Sequence, residues 1–103
     1  MKYEHTYFML YYYIKGNVMN LYFLIGKICS KINFQFILNS KNISIVLFDV
    51  QLLNGSKIKV KGYNELADYC YSNLKEEDVI AIQGRINNRY EIIIESIKRI
   101  NQN

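Results

Sequence analysis

The stretch from Ile43 to Lys61 leaves this chain little freedom. Ile43–Leu53 is rich in β-branched and aromatic side chains, Asn54-Gly55 follows it, and Lys57–Lys61 then alternates strictly between charge and apolar bulk. An Asn-Gly pair between two such runs is the strongest short hairpin signal, since both central positions of a type I′ turn take positive φ. Past the turn, Ile58 and Val60 fall on one face, and Lys57, Lys59 and Lys61 fall on the other. One face of the hairpin must enter a core while the other carries a row of positive charge. That row has two readings: lysines guarding an exposed sheet edge, or a surface that follows a polyanion.

The remaining pattern is that of short strands separated by turns. Leu21–Ile28 is apolar and built of β-formers, interrupted at Gly26 where a bulge or bend fits. Asn33–Leu38 is again extended, and "NSKN" at 39–42 has turn chemistry. After the lysine strand, Asn64 is placed to cap a helix on which Leu66, Ala67, Cys70 and Leu74 share one side, with Glu65 and Asp68 outward. The polar "KEED" at 75–78 ends that segment. Val79–Ile86 is the next strand, Asn87-Asn88 a tight turn, and Arg89–Lys98 the last strand. Many short strands around one core predict a small barrel or sandwich. A single short helix between strands 3 and 4 narrows this to a mainly β fold, the five-stranded OB-fold Greek-key barrel, with the helix closing one end.

At 103 residues the chain has room for one core. The domain is expected over 19–100, with 101–103 as a short C-terminal end. Residues 1–18 are crowded with tyrosine and stop just before "MNLYFLIGKI". They read as an N-terminal extension, disordered or a start assigned too early, or else as an extra strand covering an edge. No apolar run nears the roughly 18 residues of a membrane-spanning helix, and "YFMLYYYI" at 7–14 lacks the flanks of a signal peptide. A cytoplasmic protein without membrane contact is expected.

Composition excludes more than it assigns. The net charge of +4 favours anionic partners only mildly. Lysine outnumbers arginine ten to three and proline and tryptophan are absent, so a compositional bias accounts for much of the lysine and tyrosine. Position has to carry the functional reading. Cys29 and Cys70 lie among apolar neighbours, as buried free thiols do. With His5 they supply too few ligands for zinc, and nothing orients His5 for nucleophilic catalysis. The five glycines are scattered and make no phosphate loop. Neither an enzyme, a metal site nor a cofactor is expected.

Four segments, "NLYFLIGKI", "IKVKGYNELADYC", "LKEEDVIAIQGRI" and "YEIIIESIKRI", together resemble the core of bacterial single-stranded DNA-binding proteins over about residues 19–100. The motifs are partly those of the fold itself. The resemblance implies sequence-independent coating of single-stranded DNA in replication, repair or recombination, on the nucleoid, by a homo-oligomer (dimer or tetramer), with replication proteins as further partners. Its mechanism would join lysine and arginine displacing counterions from phosphates to aromatic rings stacking on bases, at about 1–3 kcal/mol per base.

Carried over by position, the resemblance implicates Lys57, Lys59 and Lys61 on the third strand, Lys27 after the first-strand glycine, and Arg85 in the fourth. It adds Arg89 and Tyr90 beside the last hairpin, Phe34 and Phe36 after the first strand, and Phe48 in the second. Phe48 shares a face with Val46 and Val50, which also fits a core position. Tyr63, Tyr69 and Tyr71 read as packing or partly exposed surface. The family stacks bases on tryptophan, extends its hairpin loops and ends in an acidic-tipped tail. None of these has a counterpart here, so a shorter, weaker footprint without tail-mediated recruitment is expected. Two alternatives follow: a protein-interaction OB module resembling the primosomal replication accessory protein, or an RNA-binding OB domain.

Overall fold

The structure is a computed structural model that describes residues 9–14, 17–38, 41–52 and 54–100, with side chains from residue 21 onward. Its strands are β1 (Met9–Ile14), β2 (Asn17–Ile28), β3 (Asn33–Ile37), β4 (Ile43–Gln51) and β5 (Lys57–Tyr63). Helix α1 (Glu65–Asn73) follows, then β6 (Val79–Ile86) and β7 (Glu91–Arg99). The sheet runs β1-β2-β6-β7-β5-β4-β3, and β2 also pairs with β4. That second pairing, Lys27↔Gln51 and Ile28↔Val50, closes β2, β4, β5, β7 and β6 into a barrel. All its pairings are antiparallel except β5 with β7. With α1 between the third and fourth barrel strands, this is the OB-fold.

Period-2 alternation builds the core. On β4, Ser44, Val46, Phe48 and Val50 point inward, joined by Leu24, Ile28, Val60, Ile80, Ile82, Ile92 and Ile94 from the other strands. Ala67, Cys70 and Leu74 of α1 plug one end. Gly26 sits where β2 leaves β6 for β4. A Cβ there would lie 2.5 Å from Val50 Cγ1 and 2.7 Å from the Gln51 carbonyl oxygen. The β2–β6 register runs through it unbroken, so Gly26 permits close approach of two strands rather than forming a bulge.

Several local expectations are corrected. Of Asn54 and Gly55 only the glycine has positive φ, 87°. Gly55 N–H donates to Leu52 O and Leu52 N–H to Ser56 O, both at 2.9 Å, so the turn is one residue longer than a type I′ turn, with a left-handed residue at its end. Asn64 precedes α1 at φ 57° but makes no side-chain cap; its N–H donates to Ser44 O and its carbonyl accepts from Asp68. The last strand starts at Glu91, because Arg89 and Tyr90 belong to the turn. Asn33–Ile37 lies outside the barrel as an edge strand on β4. Residues 9–14 pair with β2 as a further strand. The expectations for residues 1–8, 15–16, 39–40, 53 and 101–103 fall outside the described residues.

"KEED" does more than end the helix. Asp78 is only 2% exposed. Its Oδ2 accepts from Lys75 N at 3.0 Å and Oδ1 from Lys75 Nζ at 3.3 Å. Arg99 Nη1 lies 3.8 Å from Oδ2 and donates to Asn73 O at 3.3 Å. The carboxylate thus fastens the end of α1 to the end of β7, and its burial is offset by these donors.

Candidate nucleic-acid interface

β5 is hydrogen-bonded on both sides, to β4 and to β7. Its lysines therefore do not guard an edge. They stand on the outer face of an interior barrel strand, and the same alternation continues past Gly62 to Tyr63. Lys57 and Lys59 are exposed and Lys61 half-buried. Lys61 Nζ lies 5.6 Å from the Tyr63 ring centroid, a cation–π contact. Opposite this row on β4 stand Gln51, Asp49, Leu47 and Ile45, and Glu91 of β7 is opposite Lys59.

Two clefts open on this face. One, of about 660 Å³, runs between the β4–β5 hairpin and the β6–β7 turn; Lys57, Lys59, Ile58, Asn54, Ile86 and Tyr90 line it. The other, of about 470 Å³, lies between the β2–β3 segment and β4, where Lys31, Ile32 and Asn33 face Leu47 and Phe48. Asp49 and Lys59 border both clefts, paired at 3.3 Å (Lys59 Nζ to Asp49 Oδ1). The second and third barrel strands, with the loops between strands 1–2 and 4–5, are the part of an OB-fold that receives oligonucleotides and oligosaccharides.

Tyr90 is the least expected residue here. It is 80% exposed and sits at φ 61°. Its turn repeats the β4–β5 connection: Tyr90 N–H donates to Asn87 O and Asn87 N–H to Glu91 O, each at 3.0 Å. Tyr90 thereby holds the place that Gly55 holds in the sister hairpin. Asn87 braces the turn, its Oδ1 accepting from Arg89 N at 3.0 Å and Glu91 N at 2.9 Å. A bulky residue in left-handed backbone is strained, and such strain gathers at functional sites.

The implicated residues do not all converge. Lys57, Lys59 and Tyr90 share a cleft, with Lys61 next along β5. Lys27 stands in register with Lys57 through Gln51, and its Nζ is 3.3 Å from Glu77 Oε1. Arg89 is exposed beside Tyr90. Arg85 is on β6, which borders β2 and β7 rather than β5, and its Nε donates to Glu95 Oε2. Phe34 and Phe36 are opposite Val46 and Ser44, whose side chains face inward, so they lie across the sheet from the lysines. Phe34 stacks on Tyr71 of α1 at 4.7 Å, and Phe36 is 54% exposed. Phe48, 3% exposed, is a wall of the core. Tyr63, read from the sequence as packing or partly exposed surface, is partly exposed and ends the lysine row. Extending the Lys57–Lys61 alternation by one step places its ring on the lysine face.

Cys70 is buried in the core, whereas Cys29, expected there too, is only half-buried. Burial pushes Cys70 up to about 12. Burial also raises Cys29, against the opposing pull of Lys57. Among the described residues no His, Cys, Asp and Glu cluster is able to hold a metal, and no helix is long and apolar enough to cross a membrane.

No family model matches the sequence, and no curated protein does. Solved structures do match in shape. The wild-type single-stranded DNA-binding protein from Thermus aquaticus aligns at TM-score 0.72 with 18% identity over 87% of this chain and 45% of its own. A deletion mutant of that protein gives TM-score 0.72, 18% identity, and coverages of 86% and 44%. The single-stranded DNA-binding-protein domain of a Synechococcus protein gives 0.70 at 15% identity over 79% of this chain and 96% of its own. The chain thus spans under half the length of the Thermus proteins. At these identities the likeness is one of fold.

Proposed function

We propose that this OB domain binds single-stranded DNA, with little dependence on sequence, along the outer face of β4 and β5. The carrying observation is Tyr90, an exposed ring on a strained, left-handed backbone beside Lys57 and Lys59. The sequence motifs and the fold of the Thermus and Synechococcus proteins support the same reading. Phosphates meet the lysines while bases stack on tyrosine, and no covalent chemistry is required. A homo-oligomer would lengthen the path for the strand, and replication, repair or recombination is where exposed single strands arise.

The test is a fluorescence anisotropy titration of labelled oligo-dT against salt. Binding should weaken steeply with salt, and replacing Lys57, Lys59 and Lys61 by Ala should lower the slope by up to about 2, at ~0.7 per lost phosphate contact. Anisotropy that stays flat at micromolar protein and low salt would refute the proposal. One observation favours a second reading, a protein-interaction module of the replication machinery. Edge strand β3 runs into Phe36, Ile37 and Leu38, all exposed. Co-purification with a replication helicase or its loader, alongside feeble nucleic-acid binding, would select it.

A further inference from the structure

A carboxylate in the middle of a surface meant to follow phosphates is out of place. Asp49 is that carboxylate: it stands opposite Lys59 on the outer face and borders both clefts. Its backbone is fixed by donation of its N–H to Ser30 Oγ at 2.8 Å. Lys59 neutralises it at Oδ1, while Oδ2 accepts no hydrogen bond among the described residues. Against phosphate alone Asp49 works the wrong way, since it cancels the lysine that a backbone-tracking face needs. A role in reading a base resolves the conflict.

The geometry points to a guanine subsite in the cleft between β4 and the β2–β3 segment. The inference rests on the single-strand binding reading and gives it one base-selective position. Guanine alone presents two adjacent N–H donors on its Watson–Crick edge, N1–H and the N2 amine, with the O6 acceptor beside them. Asp49 offers two acceptor oxygens, and the Lys59 ammonium 3.3 Å from Oδ1 is placed to donate to O6. Ile32 and Leu47, both half-buried, supply apolar walls for the ring. The other bases fit worse. Adenine and cytosine set a bare ring nitrogen next to their single amine, facing the carboxylate, and thymine has one N–H between two carbonyls. Readout of this edge is open in single strands, where bases are unstacked and splayed.

The experiment compares, by anisotropy, oligo-dT with the same strand carrying one central dG, dA, dC or deoxyinosine. A good two-bond pair discriminates by about tenfold or more, so the dG strand should bind about tenfold tighter than oligo-dT. Inosine lacks the N2 amine and should lose most of that gain. Asp49→Asn should bring the dG-to-dT ratio close to one; as a ratio within one protein, it is insensitive to general loss of affinity. Equal binding of dG and inosine, a preference surviving in Asp49→Asn, or tighter binding of dC or dA would overturn the subsite while leaving single-strand binding standing. Failure of every strand to bind would overturn both.

Discussion

Replacing Tyr90 separates what the ring does for the fold from what it does for a ligand. At φ 61° a side chain other than glycine costs about 1–2 kcal/mol. Glycine relieves that strain but is more flexible when unfolded, giving back about 0.5–1 kcal/mol. With the residue 80% exposed, only about 40 Å² of a ring near 200 Å² is buried, or about 1 kcal/mol of burial lost. These terms nearly cancel. Tyr90→Gly should therefore change stability by no more than about 1 kcal/mol, a shift in Tm of about 4–8 °C at most. Tyr90→Ala keeps the strain, loses the ring, and should be the least stable of the series. Binding should order differently. Tyr90→Phe should hold oligo-dT within about twofold of the parent, whereas Ala and Gly should both lose one stacking contact, about 1–3 kcal/mol. Thermal melts and anisotropy on the same preparations read both scales. A Tyr90→Gly protein that binds like the parent would refute the stacking role. One that loses several kcal/mol of stability would show the ring to be structural.

Two further outcomes follow from buried groups. Asp78→Ala leaves the Lys75 N–H without its acceptor and frees Arg99 from its anion, so urea unfolding should show a loss of about 1–3 kcal/mol, with Asp78→Asn retaining part of it. Cys70 keeps its proton up to about 12 in the folded chain, while an unfolded thiol releases it near about 8.5. Its contribution is thus complete below about pH 8.5 and is lost as pH rises toward 12, at up to about 1.4 kcal/mol per pH unit. The urea midpoint should fall across this range more steeply in the parent than in Cys70→Ala.

The barrel was legible because period-2 patterning and burial are the same constraint. Ile58 and Val60, or Val46, Phe48 and Val50, declare an inner face that only a β wall satisfies. Val79–Ile86 has the bounds expected of it. What stayed hidden depends on which strand lies beside which. Lysines at every second position look alike on an edge and on an interior strand, and only the parallel β5–β7 pairing tells them apart. Phe34 and Phe36 carry no mark of which side of the sheet they occupy until Val46 and Ser44 are found opposite them. Asp78 reads as one more charge in a polar run because its partners, Lys75 N–H and Arg99, are a backbone group and a residue on another strand. Tyr90 was legible as beside the turn; its left-handed backbone was not, since tyrosine is a poor candidate for that conformation.

The charge around β5 decides which force leads on the proposed reading. Lys57, Lys59 and Lys61 make the row look strongly cationic, but Asp49 and Glu91 both stand beside Lys59 across the neighbouring strands. A phosphate near Lys59 meets two carboxylates as well, so the middle of the row attracts little. Unopposed attraction is left at the ends, near Lys57 and near Lys61, and each end carries an aromatic ring: Tyr90 beside Lys57 in the larger cleft, Tyr63 under Lys61. Lys57 and Lys61 lie four residues apart on β5, ~13 Å of strand. A cationic end with a ring at each terminus, and a carboxylate between them that repels phosphate and accepts N–H donors, suits a strand whose bases turn toward the protein at mid-path. Stacking and base contacts then add to the salt-dependent attraction of the lysines in setting the affinity. On the proposed reading, a chain of net charge +4 without tryptophan would hold a single strand through these rings and the lysines beside them.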